Sequence, residues 1–114
     1  KLIANLALAV TIEGFKEALD LGESQGLDAE QVVGMLASTG LEFIVNMKAP
    51  FLLGERDTAP GNFSVDAIAK DARLMLATAD RDLPAVSAAL DSLEAQQHAG
   101  RGDEDFSSVV VYRD

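Results

Sequence analysis

Periodicity is the feature that most narrows the fold of this chain. From Leu2 to about Gln25 apolar residues recur on one helical face, with Leu8, Ile12, Phe15 and Leu19 at i, i+4, i+7 and i+11. No segment of any length alternates apolar and polar residues as a half-buried strand must, so the expected class is all-α. At 114 residues there is enough chain for one helical domain, spanning 1–114, and not for two. Its composition allows a core, because 48% of the residues are hydrophobic and 25% charged, the balance of a globular chain.

Boundary signals divide the chain into five to six helices. Gly26 stops the first, and Asp28, with Gln31 three residues on, forms a capping box that opens a second over Ala29 to Ser38. Leu41 to Lys48 comes next, with Phe43, Ile44 and Met47 as its apolar face and Pro50 just beyond it. The stretch from Leu53 to Asn62, rich in Gly and Pro, is the longest irregular segment. Ser64 caps a helix to about Ala79, with Val65, Ile68, Ala72 and either Met75 or Leu76 inward. Pro84 suits the first turn of a helix over Ala85 to Ala99, with Val86, Leu90 and Leu93 inward. A loop through Asp105 leads to Phe106 to Tyr112, which is divided between helix and the β-prone run Val109 to Tyr112. The opening turns of the first helix are apolar nearly all round, so that end is expected to lie buried between other elements.

Charge and residue types exclude several roles. Nine Lys and Arg against 19 Asp and Glu give a net charge of −10, which repels a nucleic-acid backbone or an anionic membrane, so neither is an expected partner. The apolar run Leu2 to Val10 ends by Thr11 and Glu13, well short of the roughly 20 residues a membrane-spanning helix needs. With no Cys and the single His98, the chain has no disulfide, no thiol nucleophile and no expected metal site. A reducing cytoplasm is the compatible setting. The pattern starts inside a helix with no charged leader, so the chain reads as a piece of a longer protein.

A few polar residues are candidates for chemistry. Lys1 and Asn5 lie four apart and project from the same side of an otherwise apolar surface. An ammonium that loses water among apolar neighbours gives up its proton more readily, and an amide one turn away can hold a hydroxyl or carboxylate against it. Spacing alone favours the plainer reading, a solvated helix start. Lys70 sits with Asp66 and Arg73 on the polar side of its helix, where an i−4 ion pair with Asp66 is the plain reading. The cluster Asp103-Glu-Asp105 lacks calcium-loop spacing, Asp105 reads as an N-cap, and His98 as a residue favoured by a helix C-terminus. No glycine-rich phosphate loop follows a strand, so the chain does not itself cradle a dinucleotide pyrophosphate.

Three motifs in order carry a family resemblance. Lys1-Leu-Ile-Ala-Asn5 fits K-x-x-x-N and is followed by Glu17-Ala-Leu-Asp-Leu-Gly-Glu-Ser-Gln-Gly-Leu-Asp28. Phe63 precedes Lys70-Asp-Ala-Arg-Leu-Met-Leu76, and Gly102-Asp-Glu-Asp-Phe-Ser107 closes the series. On these residues nearly the whole chain resembles the C-terminal helical domain of the β-hydroxyacid dehydrogenase family. The resemblance implies a helical bundle-like domain of the 6-phosphogluconate dehydrogenase type. It also implies an NAD or NADP cofactor bound mainly by a separate Rossmann domain, and a small 3-hydroxy acid or semialdehyde substrate. Lys1 would then be the catalytic acid/base and Asn5 would orient the substrate, while Lys70 would reach the cofactor with Phe63 on the neighbouring wall. A homo-oligomer built largely through these helices, and a domain inactive by itself, follow from the same resemblance. The competing expectation is a non-catalytic helical interaction or dimerisation module.

Overall fold

The computed structural model describes residues 1–113. Among them are six helices and no strand: α1 (Leu2–Ser24), α2 (Ala29–Ala37), α3 (Glu42–Leu52), α4 (Val65–Thr78), α5 (Pro84–His98) and α6 (Ser108–Val111). α4 and α5 pack on each other and on α1, α2 joins α3, and α6 closes against α1. The all-α class expected from periodicity is therefore the class observed.

Local chemistry explains most of the boundaries. Asp28 Oδ1 accepts the Gln31 N–H at 2.8 Å while Gln31 Oε1 accepts the Asp28 N–H at 2.9 Å, the reciprocal capping box read in the sequence. Ser64 Oγ accepts the Ala67 N–H at 3.1 Å and starts α4. Pro84 begins α5, where a missing N–H costs nothing. The inward residues Val65, Ile68, Ala72, Met75, Val86, Leu90 and Leu93 are all buried as expected. The β-prone end of the chain forms a single helical turn, because Val109 and Val110 are drawn into the core beside α1.

α1 buries Ile12, Phe15 and Leu19 as expected but not Leu8, and α3 turns a different face inward. On α1 the buried line is Asn5, Ala9, Ile12, Phe15, Leu19 and Gly22. It passes through Ala9 rather than Leu8, because the docking of Asn5 on α4 sets the rotation of the helix and brings the i+4 residue beneath it. The opening turn is not enclosed: Ile3 is 86% exposed and Ala4 and Ala7 are exposed, with none of the described residues covering them. α3 continues past Lys48 and through Pro50. It buries Val45, Lys48 and Phe51, while Phe43, 80% exposed, and Met47 turn outward. A buried charge on Lys48 decides that rotation. Phe51, docked in the core, holds the last turn despite the hydrogen bond that Pro50 removes.

Candidate functional site

Asn5 and Asp71 meet where α1 crosses α4. Asn5 Nδ2 donates to Asp71 Oδ2 at 2.6 Å, joining residues 66 apart in sequence. Both side chains are about nine-tenths buried. A carboxylate so placed is costly without compensation, yet among the described residues no cation pairs with it. Among the described residues Asn5 Oδ1 takes no hydrogen bond and is not sealed from solvent, so the amide retains an acceptor. In the sequence Asp71 stands out only as part of the Lys70-Asp motif. Its position three residues from Ile68 and four from Met75, on the inward stripe of α4, was the signal that it is buried.

Lys1 stands one turn before Asn5, its carbonyl accepting the Asn5 N–H at 3.0 Å. The two share a side of α1 as their spacing requires. Lys1 is exposed, so the apolar surroundings that would desolvate it are not supplied by the described residues. Lys70 follows the same crossing from α4 and is also exposed. Its expected ion pair with Asp66 is not formed. Asp66 is drawn away instead, accepting from Gln97 Nε2 at 2.8 Å, with its N–H donated to the Gly102 carbonyl at 2.8 Å. The Asp66 carboxylate lies against the Cα of Gly102, where any side chain would collide with it. Lys70 is thus left without a carboxylate among the described residues.

Phe63, just before the Ser64 cap, packs edge-on against Phe106 with ring centroids 5.7 Å apart. With Leu8, Met47, Lys48, Asn62 and Phe106 it lines a cavity of about 180 Å³. Leu8 lies three residues along α1 from Asn5, so this cavity adjoins the same side of the helix.

The loop that carries Phe63 is anchored by Asp105. That side chain is wholly buried. Lys48 Nζ lies 3.1 Å from each carboxylate oxygen. The N–H groups of Asn62 and Phe63 donate to Oδ1 at 3.3 Å, and the Ser107 N–H donates to Oδ2 at 3.0 Å. Backbone bonds from Asp105 to Thr58 at 2.7 Å and from Phe106 to Phe63 at 2.8 Å complete the seam, beside a Thr58–Glu104 hydrogen bond. Burial pushes the Asp105 carboxyl up, but the hydrogen bonds of Ser107 and then the Lys48 charge outweigh it and hold the group below its usual value. The Lys48 ammonium also sits over the rings of Phe106, at 4.4 Å, and Phe51, at 5.2 Å. Asp105 is therefore an ionic hub rather than the N-cap expected, and the N-cap position of α6 falls to Ser107. His98 is exposed at the end of α5, as its sequence position suggested.

Known proteins resemble this chain in sequence and in fold. Glyoxylate/succinic semialdehyde reductase 1 of Arabidopsis thaliana is 30% identical over 116 residues, and glyoxylate/succinic semialdehyde reductase 2, chloroplastic, of the same plant is 26% identical over 114. Each match covers 96% of this chain, which spans only 39% and 31% of those relatives. The crystal structure of 3-hydroxyisobutyrate dehydrogenase from Salmonella typhimurium superposes with a TM-score of 0.81 at 26% identity, over 96% of this chain and 39% of that one. A structure of Psf3 in complex with NADP+ and 2-OPP superposes at 0.77 over 100% of this chain and 40% of that one, and at 20% identity it speaks for the fold alone. The six helices are a helical domain of 3-hydroxyisobutyrate dehydrogenase-like structures. The cofactor class of the matching family is a nicotinamide dinucleotide. Residues 1–112 match the family described as NAD-binding of NADP-dependent 3-hydroxyisobutyrate dehydrogenase, and the chain belongs to that family.

Proposed function

We propose that this chain is the substrate-facing helical domain of an NAD(P)-dependent oxidoreductase that interconverts a small 3-hydroxy acid and its semialdehyde. The dinucleotide is held mainly by a further domain of the same enzyme. The observation that carries this reading is the buried 2.6 Å bond from Asn5 to Asp71, which locks an amide one turn from Lys1 and beside Lys70. An amide held through Nδ2 cannot exchange its donor and acceptor ends, so Oδ1 accepts from a substrate hydroxyl in a fixed direction. Lys1 Nζ takes the proton of that hydroxyl when the alcohol is oxidised and returns it when the aldehyde is reduced. Lys70, with no carboxylate paired to it among the described residues, offers its charge to a phosphate of the dinucleotide, and Phe63 gives that side an aromatic wall. These residues fit such a cofactor as auxiliaries, since the chain carries no glycine-rich phosphate loop of its own. When bound, the nicotinamide ring donates or accepts the hydride. Exposed Leu21, Met35, Phe43 and Met47 are the surface on which a homo-oligomer of this domain forms, in a cytoplasmic setting.

In the complete enzyme carrying this domain, Lys1→Ala lowers kcat/KM for 3-hydroxy acids by about 10²–10⁴-fold, the range of acid–base catalysis, with cofactor affinity and helical content retained. Unchanged turnover with NAD and NADP overturns the assignment.

A further inference from the structure

A second polar cavity lies well away from Asn5. Lys16, Arg101 and Arg113, three of the nine Lys and Arg in a chain of charge −10, line a hollow of about 210 Å³ together with Ser92, Gln96 and Tyr112. Lys16 is eleven residues beyond Asn5, about 16 Å along α1, so the hollow is separate from the site described above.

Each cation is held in place with donors to spare. Lys16 Nζ lies 3.4 Å from the Ser92 hydroxyl and meets no carboxylate among the described residues. Arg101 stacks on Tyr112, Cζ 4.1 Å from the ring centroid, and its Nε donates to Gln96 Oε1 at 2.7 Å. Its Nη groups make no hydrogen bond among the described residues. Gln96 is nine-tenths buried, and its Nε2, the donor end, is likewise unengaged. Arg113 is pinned by Asp20 at 2.7 Å and Glu23 at 3.2 Å, with Nη1 also 3.3 Å from the Val110 carbonyl. Both carboxylates pair with Arg113, and among the described residues none pairs with Lys16 or Arg101. The donors come from α1, from α5 and from the C-terminal segment. That spread suits a tetrahedral oxyanion better than a flat carboxylate.

We propose that this hollow is a binding site for a small phosphate-bearing anion, held by Lys16, Gln96 and Arg101 with Arg113 at its rim. The occupant bridges α1, α5 and the segment after α5, so binding also stabilises the seat of α6.

The test titrates the 15N-labelled 114-residue chain with inorganic phosphate against chloride at constant ionic strength. The Nε–Hε signals of Arg101 and Arg113 are expected to move with one saturable dissociation constant while those of Arg56 and Arg81 stay, and the unfolding midpoint rises in parallel. Sulfate competes and acetate does not. Lys16→Gln weakens binding about tenfold, the loss of one charge-assisted hydrogen bond, and Lys16→Arg restores most of it. Shifts that never saturate, equal shifts with chloride or acetate, or an unchanged constant in Lys16→Gln overturn the proposal. Because the wild-type signals and the acetate comparison need no variant, failure of Lys16→Gln to fold leaves the test decisive.

Discussion

Two carboxylates are buried between helices of this protein, and their surroundings are opposites. Asp105 is saturated, with an ammonium on both oxygens and three backbone N–H groups around it. Asp71 receives one amide hydrogen bond and keeps slight contact with solvent. A saturated buried charge has no capacity left for a ligand and serves to fix backbone, here the turn carrying Phe63. An undersaturated one retains that capacity at the expense of stability. The contrast separates a structural centre from a candidate working one by counting partners rather than by burial alone, since burial is nearly the same for both.

The largest expected effect breaks the saturated centre. Asp105→Ala strands the Lys48 ammonium in the core and lowers unfolding free energy by about 3–5 kcal/mol, measured by urea denaturation. The pH dependence has a definite sign. The folded-state carboxyl lies below its ordinary value, so its contribution is fully present above the unfolded value, near 3.9, and is lost as pH falls through the folded value. In Asp105→Asn the acid limb below about pH 4 is therefore shallower, and an acid limb of unaltered slope would refute this origin. The undersaturated centre responds less: Asn5→Ala costs about 1–3 kcal/mol by leaving Asp71 without a partner. A double-mutant cycle of Asn5 and Asp71 returns a coupling of about 0.5–3 kcal/mol, and zero coupling would erase the distinction drawn above. Smallest is Lys70→Gln, within about 0.5 kcal/mol of wild type in stability, but with weaker NADP+ binding in the complete enzyme. A stability loss beyond that range would make Lys70 structural.

The helices whose rotation is decided by apolar residues were the legible ones. α4 and α5 carried their caps, their first-turn residues and their inward stripes openly, and the Lys1/Asn5 side of α1 followed from i, i+4 spacing. α3 departs from its apolar pattern because its strongest orienting group is a lysine. Phe43, Ile44 and Met47 form a plausible apolar face, yet the pairing of Lys48 with Asp105 turns Val45 and Phe51 inward instead. Periodicity says that a helix has a face, and a long-range ion pair can choose another one. The same limit hid Asp71, since a bond across 66 residues leaves no trace in local spacing. It also hid the fate of Asp66, whose attraction to Gln97 and Gly102 takes it away from Lys70.

The ion pair of Lys48 and Asp105 also has a meaning for biosynthesis. The two residues are 57 positions apart, so at about 5–20 residues per second of translation Lys48 waits roughly 3–11 s for its partner to be made. Until then α3 can settle on its more apolar side, with Phe43 and Met47 inward, and the nascent chain must exchange that provisional docking for the final one when Asp105 emerges. A chain stalled with Asp105 still inside the ribosome should therefore display a protease-sensitive α3 that becomes protected once Asp105 has emerged.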